Sequence, residues 1–179
     1  MNNEDSKTII LKSKLGNVPS NMEGYFNEAG DDDLKTSFKK QNLEAEKLFQ
    51  SINEEKSKYK YAPGKWTLKE VLQHLIDAER VFAYRALAFA RKDTNTLPSF
   101  DENDYANNSK ANDRSWSNLI SEFFSVRQST EFLFDSFSAE ALETIGKASS
   151  YTIGVNTLGF VIIGHTNHHI TIVKERYLN

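Results

Sequence analysis

The sequence predicts an all-α fold, a four-helix bundle. Three observations point there. Four stretches repeat apolar residues every three or four positions, strand signals are few, and only three prolines and eight glycines punctuate the chain, mostly between those stretches. At 179 residues the chain fits one domain, long enough to bury roughly 70% of its unfolded surface.

The first helix is expected over residues 34–56, with Leu34, Phe38, Leu48, Phe49 and Ile52 as its apolar stripe. Asp31, Asp32 and Asp33 precede it and offer a cap and negative charge at the positive end of the dipole. The second follows Pro63-Gly64-Lys65-Trp66, where Thr67 and Glu70 have capping-box spacing, and runs to near Lys92. It carries Val71, Leu75, Ala78, Val81, Phe82 and Arg85 along one face. The third starts near Asp113 and repeats Trp116, Leu119, Phe123, Val126, Leu133 and Phe137, with Thr130 filling the gap. The fourth, from Thr157 to about Tyr177, aligns Leu158, Ile162, His165, His169, Ile172 and Arg176.

Between the helices, residues 93–112 and 138–156 form long connections, which permit crossovers. The second opens with Ser138-Ala139-Glu140, enough for one helical turn. Residues 8–11 are β-prone, and 149–155 suit an extended arm or hairpin. Residues 1–32 read as an irregular arm lying on the bundle or on a neighbouring subunit, 33–179 as the bundle, and the whole as a single domain.

Composition excludes several roles. A net charge of −3 with both signs mixed gives no electrostatic footprint for nucleic acid or an anionic membrane. No apolar run approaches the roughly 20 residues that span a bilayer, and residues 1–6 lack a basic, apolar signal, so a cytoplasmic protein is expected. Without cysteine there is neither a disulfide framework nor a thiolate nucleophile or ligand.

The four histidines are the strongest clue to function. His74 lies on the core stripe of the second helix, while His165, His168 and His169 share one turn of the fourth. His165 and His169, four residues apart, face the apolar seam about 40° from each other. Two imidazoles one turn apart plus a third from a facing helix can hold zinc, nickel, copper or ferrous iron and leave a position open. A His165–His168 pair could chelate too, but His169 has apolar neighbours on the seam and is preferred. His168 then stands beside the site or faces substrate. The plainer alternative is a metal-free, hydrogen-bonded histidine core.

An open three-histidine site activates a bound water near neutrality, or a thiol as thiolate. With no cysteine in the chain, that thiol must diffuse in. Asp101, Glu102 and Asp104 in the long loop, and Asp77 one turn from His74, are the carboxylates available to such chemistry. Asp101 is the candidate catalytic base or acceptor for an imidazole N–H, against the alternative of a solvated loop carboxylate or helix cap. Arg85 and Arg176 lie eleven residues after His74 and His165 on the same faces. Buried arginines want anionic partners, and an ion pair with the loop is expected before a substrate carboxylate. Trp66 and Trp116 read as core.

The stretches Tyr61-Ala62-Pro63-Gly64-Lys65-Trp66-Thr67, His74-Leu75-Ile76-Asp77-Ala78-Glu79-Arg80, Leu97-Pro98-Ser99-Phe100-Asp101-Glu102-Asn103 and Gly164-His165-Thr166-Asn167-His168-His169 resemble the DinB/YfiT-like superfamily. The likeness runs from about Asp33 to the C-terminus. It implies up-down-down-up helix order and a divalent metal held at the positions of His74, His165 and His169. It also implies one of several activities: metal-dependent transfer of low-molecular-weight thiols, thiol-dependent isomerisation, or hydrolysis. A homodimer acting on a small-molecule substrate is the matching expectation. Relatives often carry Glu at the position of Thr166 and Gly at that of Ser99, so a mechanism needing that acid is not available here. The competing class is a non-catalytic metal-binding or stress-response bundle that the ion merely stabilises.

Overall fold

The structure, a computed structural model, describes residues 10–12 and 18–178. In chain order its helices are α1 (Glu23–Glu28), α2 (Leu34–Gln50), α3 (Glu54–Ser57), α4 (Leu68–Ala90), α5 (Glu102–Asn108), α6 (Trp116–Asp135), α7 (Ala139–Leu142) and α8 (Val155–Ile172). One hairpin, β1 (Ile145–Ala148) and β2 (Tyr151–Gly154), lies between α7 and α8.

Local chemistry sets the helix ends. The Asp33 carboxylate accepts the Thr36 backbone N–H at 3.1 Å and its hydroxyl at 2.6 Å, starting α2. Asn53 caps a separate turn, α3, so the helix expected to reach residue 56 is broken at Ser51. The capping box of α4 forms as anticipated, with Glu70 N–H to Thr67 Oγ1 at 3.1 Å and Thr67 N–H to Glu70 Oε2 at 2.7 Å. Ser115 caps α6, and Ser138 caps the turn α7.

Cross-helix contacts give the order. Lys35 meets Asp135, Asn42 meets Glu131 and Phe49 meets Trp116, so α2 and α6 are antiparallel. Gln73 pairs with Arg114 and Glu79 with Arg127, making α4 and α6 parallel. Along α4, Trp66, His74 and Arg85 find Tyr177, His165 and Tyr151 in descending order, so α8 runs the other way. Gln41 and Glu44 of α2 reach Ile163 and Lys174, in parallel. The bundle is up-down-down-up.

Two apolar clusters fill it, one around Phe82, Phe89, Leu158 and Phe160, the other around Phe49, Leu72, Leu119 and Phe123. Buried polar side chains collect where the two meet: Gln41, Glu79, Arg127, His165 and Thr166. That polar layer positions the site.

The long connections are less irregular than expected. The first contains α5, and the second contains the hairpin, whose register from Ile145↔Gly154 to Ala148↔Tyr151 starts earlier than residue 149. Leu97 joins them, accepting from Ser149 N–H and donating to Lys147 O. Of the β-prone run 8–11, residues 8 and 9 lie outside the described residues. Ile10 and Leu11 are not in a strand, and the Ile10 carbonyl accepts the Leu34 N–H. The arm is irregular except for the turn Ser20–Met22 and α1, which lies against α8. Gly164 permits that approach, because a Cβ there would stand 1.6 Å from the Tyr25 carbonyl oxygen.

At the other end α8 passes into a π-helical turn, Val173–Tyr177. The wider turn shifts the inward position from residue 176 to 177. Arg176 is therefore exposed, contrary to the expectation that it shares the face of His165, and Tyr177 is buried with its hydroxyl on the Trp66 carbonyl at 2.8 Å. Among the described residues no helix is long and apolar enough to cross a membrane.

Candidate metal centre

Antiparallel packing of α4 on α8 brings His74 against His165 and His169. One nitrogen from each lies within 4.8 Å of the others, and among the described residues this is the group of three that could hold an ion. The Nε2 atoms of His74 and His165 are 2.9 Å apart. His74 and His165 are buried and His169 is partly so.

Burial dominates their electrostatics. It lowers the His74 pKa to about 4 and that of His169 to about 3, the latter with smaller contributions from His74 and His168. His165 is pushed well below its usual value by burial first and then by the neighbouring imidazoles. All three are neutral near pH 7, the form that ligates metal. His169 Nδ1 is buried without a hydrogen-bond partner among the described residues. Such an orphaned nitrogen is costly and usually has an explanation.

These residues fit a divalent cation. Tetrahedral nitrogen donors on zinc stand about 3.3 Å apart, so the 2.9 Å contact between His74 and His165 opens by a few tenths of an ångström, while the wider separations, within 4.8 Å, close by up to about 1.5 Å. A tightly shared proton between the same two atoms is the metal-free alternative, but it engages only two of the three converging imidazoles.

Aromatic rings frame the cluster. Trp66 lies 4.8 Å from His74 between ring centroids, Phe82 5.9 Å from His165, and Tyr25 of α1 sits edge-on to His165 at 5.0 Å. Above it opens a cavity of about 460 Å³, with the histidines at its floor and Arg85, Glu102 and Tyr151 on its walls. Volume and lining match a small-molecule site.

The other sequence candidates separate. His168 lines the cavity, half-exposed, with Nδ1 3.1 Å from Glu28 Oε1. Asp101 is exposed, and its Oδ1 accepts from the Asn103 and Asp104 N–H groups at 2.9 Å, capping α5. The loop carboxylate on the cavity wall is its neighbour, Glu102. Asp77 accepts from Gln73 at 2.9 Å and is not among the cavity residues. Thr166 points from the histidines towards Arg127, accepting from its Nη2 at 3.1 Å.

Sequence reasoning missed Tyr25 and Met22, which the arm brings to the cavity, and the second place of Trp66, which packs against the core as expected and also lines the cavity. One signal was present for the arm: Gly164, one of two glycines in a buried apolar helix, stands immediately before His165.

Fold and site together define an up-down-down-up helical bundle with a three-histidine cluster inside it. The chain belongs to the DinB superfamily, which it matches over residues 38–173. Its structure is similar to that of YfiT from Bacillus subtilis, described as a probable metal-dependent hydrolase with an unusual four-helix bundle topology. The two share 12% identity and a TM-score of 0.68, over 90% of this chain and 89% of that one. No protein of curated function matches the chain.

Proposed function

We propose that His74, His165 and His169 hold a divalent cation (zinc, nickel or iron) and that the protein is a metal-dependent enzyme of the hydrolase type acting on a small molecule. The observation that carries this reading is the convergence of three neutral imidazoles beneath an open cavity. YfiT, similar in fold, is named as a probable hydrolase, which agrees. When bound, such a cation supplies Lewis acidity and brings a coordinated water or thiol near to ionisation at neutral pH. A diffusible low-molecular-weight thiol as cosubstrate, and hence S-transfer, is the second reading, favoured by the access the cavity gives.

The chain's own groups support either reaction. Glu102 lines the cavity, next to Asp101, which caps α5, and in this reading Glu102 takes up the proton. Burial raises the Tyr25 pKa, with Glu102 and Glu28 adding to it, so its hydroxyl remains a donor beside the histidines. Trp66 and Phe82 limit water around the rings. A merely structural ion is disfavoured because the cluster opens to a cavity rather than being sealed.

Elemental analysis of untagged protein is expected to give close to one divalent ion per chain, and His169→Ala to weaken its binding roughly 100-fold or more. Unchanged binding in that variant, with loss in His168→Ala, moves the third ligand to His168. The family resemblance also supports a homodimer; sedimentation showing a monomer at micromolar concentration would remove it.

A further inference from the structure

The cavity holds a cation that the chemistry above leaves unused. Arg85 lies on α4 eleven residues beyond His74, about 16 Å along the helix axis, with Ala78 and Phe82 lining the wall between them. It is only 3% exposed, yet its two hydrogen-bond acceptors are neutral: the Tyr151 hydroxyl at 2.9 Å from Nη1 and the Pro98 carbonyl at 2.7 Å from Nη2. Burial raises the Tyr151 pKa, so that hydroxyl stays protonated and gives no counter-charge. The ion pair with the loop expected from the sequence is not found: among the described residues no carboxylate lies within salt-bridge distance of Arg85. Glu102 is exposed and sits by Tyr25.

The same chain neutralises its other buried arginine fully. Arg127, 1% exposed, makes three contacts of 2.8–3.1 Å with the carboxylate of Glu79. A guanidinium buried without an anion is costly, and its planar fork suits a carboxylate arriving from outside. Arg85 and Tyr151 both line the cavity, so an anion inside it can reach them.

We propose that Arg85, assisted by Tyr151, binds the carboxylate of the substrate, whose reacting group lies over the histidines. The substrate class is thus a small monocarboxylic acid or its derivative, with an apolar spacer resting on Ala78 and Phe82. One unpaired positive charge matches one negative charge, which favours a carboxylate over a phosphate dianion. The inference rests on the proposed metal site only for the second anchor.

The test is calorimetric titration of zinc-loaded protein with 6-mercaptohexanoate and with 6-mercaptohexanol, which differ only at the end remote from the thiol. The acid is expected to bind about tenfold more tightly, the scale of one charge-assisted pair, and Arg85→Gln to remove the difference. Equal affinities in the wild-type protein overturn the proposal without reference to any variant. So does a preference that survives Arg85→Gln in protein whose thermal unfolding shows it folded. Hexyl phosphate binding more tightly than hexanoate would overturn the choice of carboxylate. Zinc content is read on the same samples. If zinc does not load, hexanoate against hexanol on the metal-free protein still tests Arg85, while the metal reading fails by itself.

Discussion

Two polar groups sit side by side in the middle of this bundle and follow opposite rules. Glu79 lies five residues after His74 on α4, and Thr166 directly follows His165 on α8. On one side Arg127 is enclosed by Glu79, by the Gln41 side-chain oxygen Oε1 at 2.5 Å and by Thr166, with the Phe38 and Phe123 rings on its faces at 5.0 and 5.4 Å. Gln41 in turn donates to the Ile163 carbonyl at 2.7 Å, so α2, α4, α6 and α8 meet in one network. On the other side three neutral imidazoles converge under an open cavity, one nitrogen having no partner among the described residues. Charge that is fully satisfied and sealed holds the fold. Polarity left unsatisfied and exposed to a cavity is what a ligand can use.

The largest expected effect breaks the sealed side. Arg127→Met leaves the Glu79 carboxylate buried without its partner and should destabilise the protein by about 3–5 kcal/mol in denaturant unfolding. Adding Glu79→Leu should recover much of that loss, because the pair is removed together. The fraction that remains folded should still take up the proposed divalent ion as the unaltered protein does. A cost under about 1 kcal/mol would show that the pair is not sealed, and loss of the ion from folded protein would show that the two regions are not separate in function.

Thr166→Val asks the same question more finely, at the residue touching both regions in sequence. It deletes one acceptor of Arg127 Nη2, which keeps Glu79 Oε2 at 2.8 Å, so about 1 kcal/mol of stability should go. Metal content should not change, since the hydroxyl faces Arg127 rather than the cavity. An ion lost here would mean that α8 is rotated from the orientation described.

The two regions also differed in how legible they were. His165 and His169 showed themselves by four-residue spacing on an apolar helix, and Thr67 and Glu70 by a local motif that needs no tertiary context. The four long helices were legible for the same reason. Arg127 was hidden because an arginine in a charged chain reads as a solvated face, although its place four residues after Phe123 put it on the buried stripe. Asp101 and Glu102 were hard to rank because α5 is short and polar, with no period to say which carboxylate faces inward. Arg176 misled because spacing arguments assume a uniform α-helix, and the π turn beyond Ile172 breaks that assumption.

The smallest expected effect concerns pH and isolates what burial does for the histidines. An imidazole must lose its proton to ligate, so protons compete with the ion below its pKa. At the ordinary value near 6.5, each ring would be about 97% protonated at pH 5, and three together would cost on the order of 10⁴ in affinity. Here desolvation holds His74 at about 4 and His169 at about 3, with His165 also far down, so the folded site is already deprotonated at pH 5. Zinc affinity of the folded protein should therefore change by less than about threefold between pH 7 and 5, and fall only as pH drops through about 4. For the metal-free protein the sign of the same shift gives a stability that is complete above the unfolded value near 6.5. It is lost progressively below that pH, because the unfolded chain takes up protons that the folded one refuses. Calorimetric zinc titrations at pH 7, 6 and 5 decide the matter. A fall of a hundredfold or more by pH 5 would mean that burial does not set the protonation of these rings, and that the cluster beneath the cavity titrates like histidines in water.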